Sequence, residues 1–384
     1  MVFPVLGANS VTGGTRYTYI DDPSKYFQTT IYSGSASSTL QVTNGGNANL
    51  QPDAVWIKQR SSTNSHRFFD TNRGITKNWT VNSAFAETNT ATDGYIASVH
   101  SDGLNLTDGS SHGNAVKDDG HTYVAWQWKC NGGTTTSNTN GNVTSTVQFN
   151  EEAGFSMVSF DLTGTSGTKT VGHGLGKIPN LIIMKAYEDT YDNMIWFSDV
   201  PLANNNTKFY FLHTDATQQS SNDILAATMP TKDIFSVVSS FHGTDPQIFY
   251  CWYEVPGYSK FGKYLGNGNV DGPMVYTGFK PKYIMIKALT LSGSGKGHYI
   301  NDSARDRNDV YGNDASLTVN TTLAEFTDSS FNVDFYANGF KIVSAAAQNN
   351  NDGTEFSYVA FANKPFVSNS GVPANAANSA SDAT

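Results

Sequence analysis

A seven-residue pattern that occurs three times is the feature that most constrains the fold of this 384-residue chain. Proline opens each copy, a polar residue follows, four apolar or aromatic residues fill the centre, and lysine closes it. The copies read PDAVWIK at 52–58, PNLIIMK at 179–185 and PKYIMIK at 281–287. Short apolar runs of this kind predict strands with both faces covered, and proline is tolerated at the first residue of a strand. We call this pattern the frame.

A second apolar motif follows each frame lysine after about 70 residues, a spacing that indicates a repeated domain. It reads YVAW at 123–126, FYCW at 249–252 and YVAF at 358–361. The copies are too long for solenoid repeats and have the size of ordinary domains. We therefore predict an all-β chain of three tandem antiparallel β-sandwich modules, of jelly-roll or lectin-like type, that follow one another as a fairly rigid rod.

The predicted boundaries follow the changes in composition along the chain. They give an N-terminal arm at 1–24, repeat 1 at 25–131, a linker rich in Gly, Thr, Ser and Asn at 132–146, a divergent repeat 2 at 147–256, repeat 3 at 257–366 and a flexible tail at 367–384.

Composition and charge exclude several classes of partner. Charged residues make up 15% of the chain and the net charge is −9, without any run of lysine and arginine. Nucleic acids and anionic membrane surfaces attract basic patches, so neither is an expected partner. No apolar run is long enough to cross a membrane, and the N-terminus lacks the features of a signal peptide.

We predict neither a metal nor a cofactor. Cys130 and Cys251 are too few for a disulfide framework and lack the spacing of a zinc site, so we expect buried or free thiols. The stretch DDGH at 118–121 supplies too few oxygen ligands for calcium. No nucleophile or phosphate-binding motif occurs, and no strand carries the paired carboxylates that glycoside hydrolysis needs. We predict that the protein is not an enzyme.

Repeats 1 and 3 share a histidine, an aspartate and an arginine at identical spacing. The two sets are His66, Asp70 and Arg73, and His298, Asp302 and Arg305. An Asp–Arg pair near a strand end usually fixes a corner, whereas the alternative is a shallow polar site for a ligand such as a glycan. Repeat 2 offers only Trp196 and Asp199 in the same region.

Aromatic residues make up 12% of the chain, and many lie at strand positions that recur in the repeats. Those are expected in the core. Trp79, Trp128, Tyr191 and Trp196 have no clear counterpart in the other copies, so they are the aromatic candidates for stacking on a ligand.

Several stretches together resemble a module found in predicted virion proteins of tailed bacteriophages, especially marine ones. They are DPSKYF at 22–27, WIK at 56–58, SDG at 101–103, YVAWQWK at 123–129, TVGHGLG at 170–176, YLGNG at 264–268 and YVAFA at 358–362. The resemblance covers about residues 22 to 366 and implies a structural protein of the tail-fibre or lectin-like kind, without catalytic residues.

The resemblance also implies partners and a location. We expect a tail fibre or spike component that binds a host-surface glycan or receptor, contacts other virion proteins and forms a homo-oligomer, for which a trimer is one arrangement. The arm at 1–24 would dock on the virion. The chain would be made in the host cytoplasm and released by lysis. The alternatives are a head-decoration, collar or other accessory protein with a purely structural role and, last, a glycan-degrading tailspike.

Overall fold

The computed structural model describes residues 20–88, 92–110, 115–199, 207–239, 245–291, 293, 296–305 and 315–365. Within them the chain is nearly all antiparallel β-structure, which confirms the all-β prediction. The helical pieces there are 3-10 turns at Pro23–Lys25, Ile224–Ala227 and Ser329–Phe331 and one α-helical turn, α1, at Ala347–Asn350. None of the described helices is long and apolar enough to span a membrane. The predicted tail and residues 1–19 of the predicted arm lie outside the described residues.

Repeat 1 builds one large and one small sheet. Its strands are β1 (Phe27–Ser33), β2 (Thr39–Thr43), β3 (Ala54–Gln59), β4 (Arg67–Asp70), β5 (Asn78–Thr80), β6 (Tyr95–His100), β7 (Gly103–Thr107) and β8 (Thr122–Trp128). The large sheet has the order β1-β8-β3-β4-β5, and the small sheet has the order β2-β7-β6. The frame therefore forms β3, next to the strand that ends the repeat.

Repeat 2 has the same kind of large sheet with extra strands at both edges. Its strands are β9 (Thr136–Asn138), β10 (Ser145–Asn150), β11 (Phe155–Phe160), β12 (Thr168–Gly172), β13 (Leu181–Ala186), β14 (Met194–Phe197), β15 (Thr207–Phe211), β16 (Gln219–Ser221), β17 (Ile234–Val238) and β18 (Gln247–Trp252). The order is β16-β15-β14-β13-β18-β11-β10-β9, and β12 pairs with β17. The predicted linker thus contains β9, whose backbone pairs with β10 at the sheet edge.

Repeat 3 returns to the pattern of repeat 1. Its strands are β19 (Ser259–Leu265), β20 (Met274–Tyr276), β21 (Phe279–Ala288), β22 (Tyr299–Asp302), β23 (Ala315–Thr318), β24 (Phe326–Thr327), β25 (Val333–Tyr336), β26 (Gly339–Ile342) and β27 (Glu355–Pro365). The large sheet has the order β19-β27-β21-β22-β23-β24, and the small sheet has the order β20-β26-β25. In each repeat the frame strand lies between the closing strand and the strand that follows the frame.

The two faces of each frame strand serve different cores, because successive side chains of a strand point in opposite directions. In β3, Trp56 joins a central cluster, whereas Val55 and Ile57 join a cluster shared with the small sheet of repeat 1. The same alternation holds for Leu181 and Ile183 against Ile182 and Met184, and for Tyr283 and Met285 against Ile284 and Ile286. Each large sheet therefore has one face toward its own small sheet and one toward the centre.

The central cluster contains side chains from all three repeats. Trp128, Trp252 and Phe361 occupy equivalent positions, since each lies opposite the third residue of its frame. Their ring centres are 6.1 Å apart for Trp128 and Trp252, 5.7 Å for Trp128 and Phe361 and 6.4 Å for Trp252 and Phe361. We call these three residues the central triangle. This packing around one core differs from the predicted rod of separate sandwiches.

One backbone hydrogen bond recurs at each junction between repeats. The acceptor is the carbonyl two residues after a frame lysine. The donor is an amide that follows, in another repeat, the second strand after the frame strand. The three bonds run from Glu87 to Tyr187 at 2.7 Å, from Gln218 to Leu289 at 3.1 Å and from Glu325 to Arg60 at 2.7 Å. They connect repeat 1 to 2, repeat 2 to 3 and repeat 3 back to 1, so the repeats form a closed ring.

Candidate functional site

His66 lies at the junction of repeats 1 and 3, and its side chain is fully buried. The Trp56 indole Nε1 donates to His66 Nδ1 at 3.0 Å, and His66 Nε2 pairs with the Thr318 carbonyl of repeat 3 at 3.1 Å. One neutral tautomer, with the proton on Nε2, satisfies both bonds. Burial, with Lys58 nearby, holds the pKa of His66 well below its usual value. The ring therefore acts as an internal connector between two repeats.

Asp70 and Arg73 form a buried corner that also contacts repeat 2. The Asp70 carboxylate accepts hydrogen bonds from the Arg73 backbone amide at 2.8 Å and from Arg73 Nε at 2.7 Å. The Tyr250 hydroxyl of repeat 2 donates to the same carboxylate at 2.7 Å. Arg73 also pairs with Glu87 and lies over the Tyr187 ring of repeat 2, 5.5 Å from its centre.

Asp302 and Arg305 make the equivalent corner between repeats 3 and 1, again fully buried. Asp302 accepts from Arg305 Nε at 2.6 Å and from the Trp126 indole of repeat 1 at 3.0 Å. Glu325 accepts two hydrogen bonds from Arg60 of repeat 1, at 2.7 and 2.8 Å, and one from Arg305 at 3.3 Å. Of the two interpretations of the His-Asp-Arg sets, this geometry favours the structural corner.

Repeat 2 replaces the aspartate with an apolar residue. In the sheet register, Phe197 stands where Asp70 and Asp302 stand, rather than Trp196 or Asp199. In the other two junctions the aspartate accepts from Tyr250 or Trp126. The residue of repeat 3 at the same register position is Val359. Both residues belong to the central cluster. The hydrogen-bond acceptor and the donor are therefore lost together, so neither is left buried at this position without the other.

Asn193 and His298 occupy the position of His66 in repeats 2 and 3. The Asn193 amide donates to the Thr80 and Val81 carbonyls of repeat 1, both at 3.0 Å. His298 is buried, and neither ring nitrogen has a hydrogen-bond partner among the described residues. Burial, with Lys287 nearby, lowers the pKa of His298 well below its usual value.

Three of the four aromatic candidates for stacking lie in the interior. Trp79, Trp128 and Trp196 are buried, and Trp79 donates to the Tyr250 hydroxyl at 3.0 Å. Trp128 has clear counterparts, because the register aligns it with Trp252 and Phe361. The closing motif of repeat 1 is therefore 125–128, two residues beyond the position that the sequence indicates. Tyr191 is half-buried in the loop after β13.

The cavity among the central aromatic side chains is too small for an organic ligand. It has a volume of ≈ 10 Å³ and is lined by apolar and aromatic side chains, including Trp128 and Trp252. Cys130 and Cys251 are buried free thiols. No group of three metal-ligating side chains occurs in the residues that were described. The central core therefore offers no ligand site, and the outer surface is the next place to search.

The outer face of the small sheet in repeat 3 is the surface that stands out. Its strands place Met274, Tyr276 and Tyr336 outward, with 46%, 64% and 44% of their surfaces exposed. Tyr276 and Tyr336 lie opposite Gly339 from either side of the central strand β26. Two strand spacings separate the tyrosine backbones, a distance of about 10 Å. Two aromatic side chains thus flank a strand position that carries no side chain. We call this surface the tyrosine face.

Charged residues border the tyrosine face on one side. Met274 and Asp334 lie opposite Lys341 on β26. Lys341 pairs with Asp271, which precedes β20 and is 80% exposed. The Tyr336 hydroxyl lies 3.3 Å from an Asp334 carboxylate oxygen, to which it donates. Hydrogen-bonding groups therefore stand one strand position away from the two tyrosines.

The corresponding faces in the other repeats differ. In repeat 1 the register places Gln41, Thr43 and His100 where Met274, Tyr276 and Tyr336 stand. In repeat 2 the two-stranded small sheet pairs Thr170 with Ser236 on its outer side. This face is not among the sequence predictions, although the alternation MVY at 274–276 and VDFY at 333–336 predicts it once the three copies are aligned strand by strand.

The frame lysines lie at the junctions with their amines inside the protein. The Lys58 amine donates to the Thr322 carbonyl of repeat 3 at 3.3 Å, and the Lys185 amine donates to the Ala84 carbonyl of repeat 1 at 3.2 Å. Lys287 donates to the Lys296 carbonyl at 2.6 Å. Burial lowers the pKa of Lys58 to about 7 and the pKa values of Lys185 and Lys287 to about 8.

Replacement of Asp302 with alanine is expected to destabilise the protein by about 3–5 kcal/mol, because Arg305 and the Trp126 indole would lose a buried partner. Urea unfolding of the full chain measures this change. The matched control is Asp334→Ala on the outer face of the same repeat, for which we expect about 0.5 kcal/mol or less. Equal losses in the two variants would contradict the junction role of Asp302.

The free energy of unfolding is expected to rise with pH between about 7 and 9, because the unfolded chain then binds more protons than the folded one at the frame lysines. The folded pKa of Lys58 is about 7, below its ordinary value of 10.5, so its destabilisation is complete below about pH 7 and is relieved above it.

Lys58→Met should flatten the pH profile by up to about 1.4 kcal/mol per pH unit. Urea unfolding at a series of pH values measures the slope, and Lys232→Met, at an exposed lysine, is the matched control. An unchanged slope in Lys58→Met would show that the Lys58 amine is not buried.

Comparison with protein families gives a match that spans all three repeats together. Comparison with curated proteins and with solved structures found no significant match. The matching family is described as a domain of unknown function, DUF7483, and the match covers residues 22–365. It therefore includes every junction of the ring and the tyrosine face. The chain belongs to the DUF7483 family.

Proposed function

We propose that the chain is a non-enzymatic structural protein of a tailed bacteriophage virion, a tail fibre or spike component that binds a host-surface glycan. The observation that carries the proposal is the tyrosine face, where Tyr276 and Tyr336 stand exposed on either side of Gly339. The resemblance of the sequence to phage virion modules provides the biological setting. The three repeats are, in this proposal, three copies of one lectin-like sandwich module.

The chemistry of the face suits reversible binding of a sugar. Tyrosine offers a flat apolar ring with a polar tip, and rigid aromatic side chains contribute much of the binding energy at recognition surfaces. Sugar rings have one face rich in C–H groups that can lie against such a ring, while their hydroxyls need both donors and acceptors. Asp334 and Lys341 supply an acceptor and a donor beside the tyrosines. Binding of this kind needs no catalytic group.

The ring of repeats suits a protein that works outside a cell on a particle. The three repeats of one chain share a central core, an arrangement that a homotrimer would form from three separate chains. Contacts with other virion proteins and further oligomerisation remain predictions. The purely structural alternative, a decoration, collar or accessory protein, would use the same scaffold without a receptor.

Substitution of both tyrosines with alanine is expected to weaken binding about tenfold or more, because two aromatic anchors are lost from the face. The measurement is saturable binding of the purified full chain to bacterial surface polysaccharides and to intact cells of the phage host. Tyr276→Ala with Tyr336→Ala is the test variant. Thr43→Ala with His100→Ala changes the equivalent positions of repeat 1 and should leave binding unchanged.

Thermal unfolding of both double variants checks that the fold is intact. Equal binding by the two double variants would exclude the tyrosine face as the site. Absence of any binding by the unmodified chain would contradict the attachment role and favour the purely structural one.

A further inference from the structure

We infer that the tyrosine face selects neutral glycans and rejects acidic ones. This inference rests on the proposed function and names the class of ligand for that site. It depends on the charges around the two tyrosines and on which of those charges already have partners.

The free charge beside the tyrosines is negative. Lys341 lies at the centre of the charged border, between Met274 and Asp334 on the neighbouring strands. Its ammonium pairs with Asp271, so its positive charge is already compensated. The Asp334 carboxylate lies opposite this already paired lysine, and its hydrogen bond comes from the neutral Tyr336 hydroxyl. An approaching anion therefore meets one compensated ion pair, Lys341 with Asp271, and the further carboxylate of Asp334.

The repulsion between an anionic ligand and each carboxylate is modest, but every such contact weakens binding. Two like charges 4 Å apart repel by about 1 kcal/mol in water and by more when binding removes water from the contact. The whole chain carries a net charge of −9, which adds to this repulsion over longer distances. A sugar carboxylate, sulfate or sialic acid would therefore bind this face more weakly than an uncharged sugar of the same shape.

The hydrogen-bonding groups of the face also favour neutral glycans. A carboxylate only accepts hydrogen bonds and an ammonium only donates them, whereas a sugar hydroxyl does both. A neutral sugar can therefore donate to Asp334 and Asp271 and accept from Lys341. An acidic group accepts only, so it can use Lys341 but leaves both carboxylates without a donor. A basic peptide would suit the carboxylates, but the ammonium of Lys341 lies between them.

The experiment compares two sets of probes on the full chain at low and at physiological ionic strength. The neutral probes are dextran, mannan and galactan, and the acidic probes are alginate and polygalacturonate, with oligolysine as a cationic probe. We expect saturable binding to at least one neutral polysaccharide, with at least about tenfold weaker binding to both acidic ones, since about 1.4 kcal/mol corresponds to tenfold. Preferential binding of an acidic polysaccharide or of oligolysine overturns the inference.

Two carboxamide variants separate charge from shape. Asp334→Asn should weaken binding of the neutral probe by about tenfold, because a charge-assisted hydrogen bond becomes a neutral one. The same variant should reduce the difference in binding affinity between the neutral and the acidic probes. Asp119→Asn, at an exposed turn of repeat 1, is the matched charge control and should change neither quantity. An equal effect of the two variants overturns the inference.

The outcomes also separate this inference from the proposed function. Binding of an acidic polysaccharide that depends on Tyr276 and Tyr336 would preserve the attachment role and reject the neutral class. If the chain binds none of the polysaccharides and does not bind intact host cells, both the attachment role and the neutral class of ligand are rejected.

Discussion

The rest of the structure depends on the central triangle of Trp128, Trp252 and Phe361. These rings lie within contact of one another, so the inner faces of three large sheets are buried only when all three repeats are present. Each frame strand serves this core with alternate residues and its own small sheet with the others. A strand buried on both faces explains why the frames are apolar at four successive positions. The same constraint ties the frame lysine to the junction, where its amine reaches carbonyl oxygens of another repeat or of its own loop.

The junctions show how three copies of a sequence can diverge without opening the ring. The recurrent backbone bond is present in all three, whereas the side chains around it differ. At two junctions a buried carboxylate accepts from an aromatic donor, Tyr250 or Trp126, and at the third Phe197 and Val359 replace the pair. At these buried junction positions the acceptor and the donor are therefore replaced together. The outer faces of the small sheets have no such partners, so a tyrosine pair can arise in repeat 3 alone, and this is where we place recognition.

The sequence was informative where the chemistry is local. The apolar frames and the His-Asp-Arg spacing predicted strands, copies and corners within one repeat. The sequence did not indicate which repeat Asp70 or Asp302 would contact. Their partners Tyr250 and Trp126 lie more than 170 residues away in the chain. A shift of two residues keeps every side chain on its own face, so Trp126 and Trp128 were equally good ends for the closing motif of repeat 1. The tyrosine face was missed for the same reason, since Tyr276 and Tyr336 become neighbours only through the register of β26.

Differential scanning calorimetry of the full chain tests the shared core most directly. If the central triangle and the ring of junctions hold the repeats together, the chain unfolds in one cooperative transition, and the calorimetric and van't Hoff enthalpies agree. Separate sandwiches on linkers would unfold independently. Two or three resolved transitions, or a calorimetric enthalpy two to three times the van't Hoff value, would contradict the shared core.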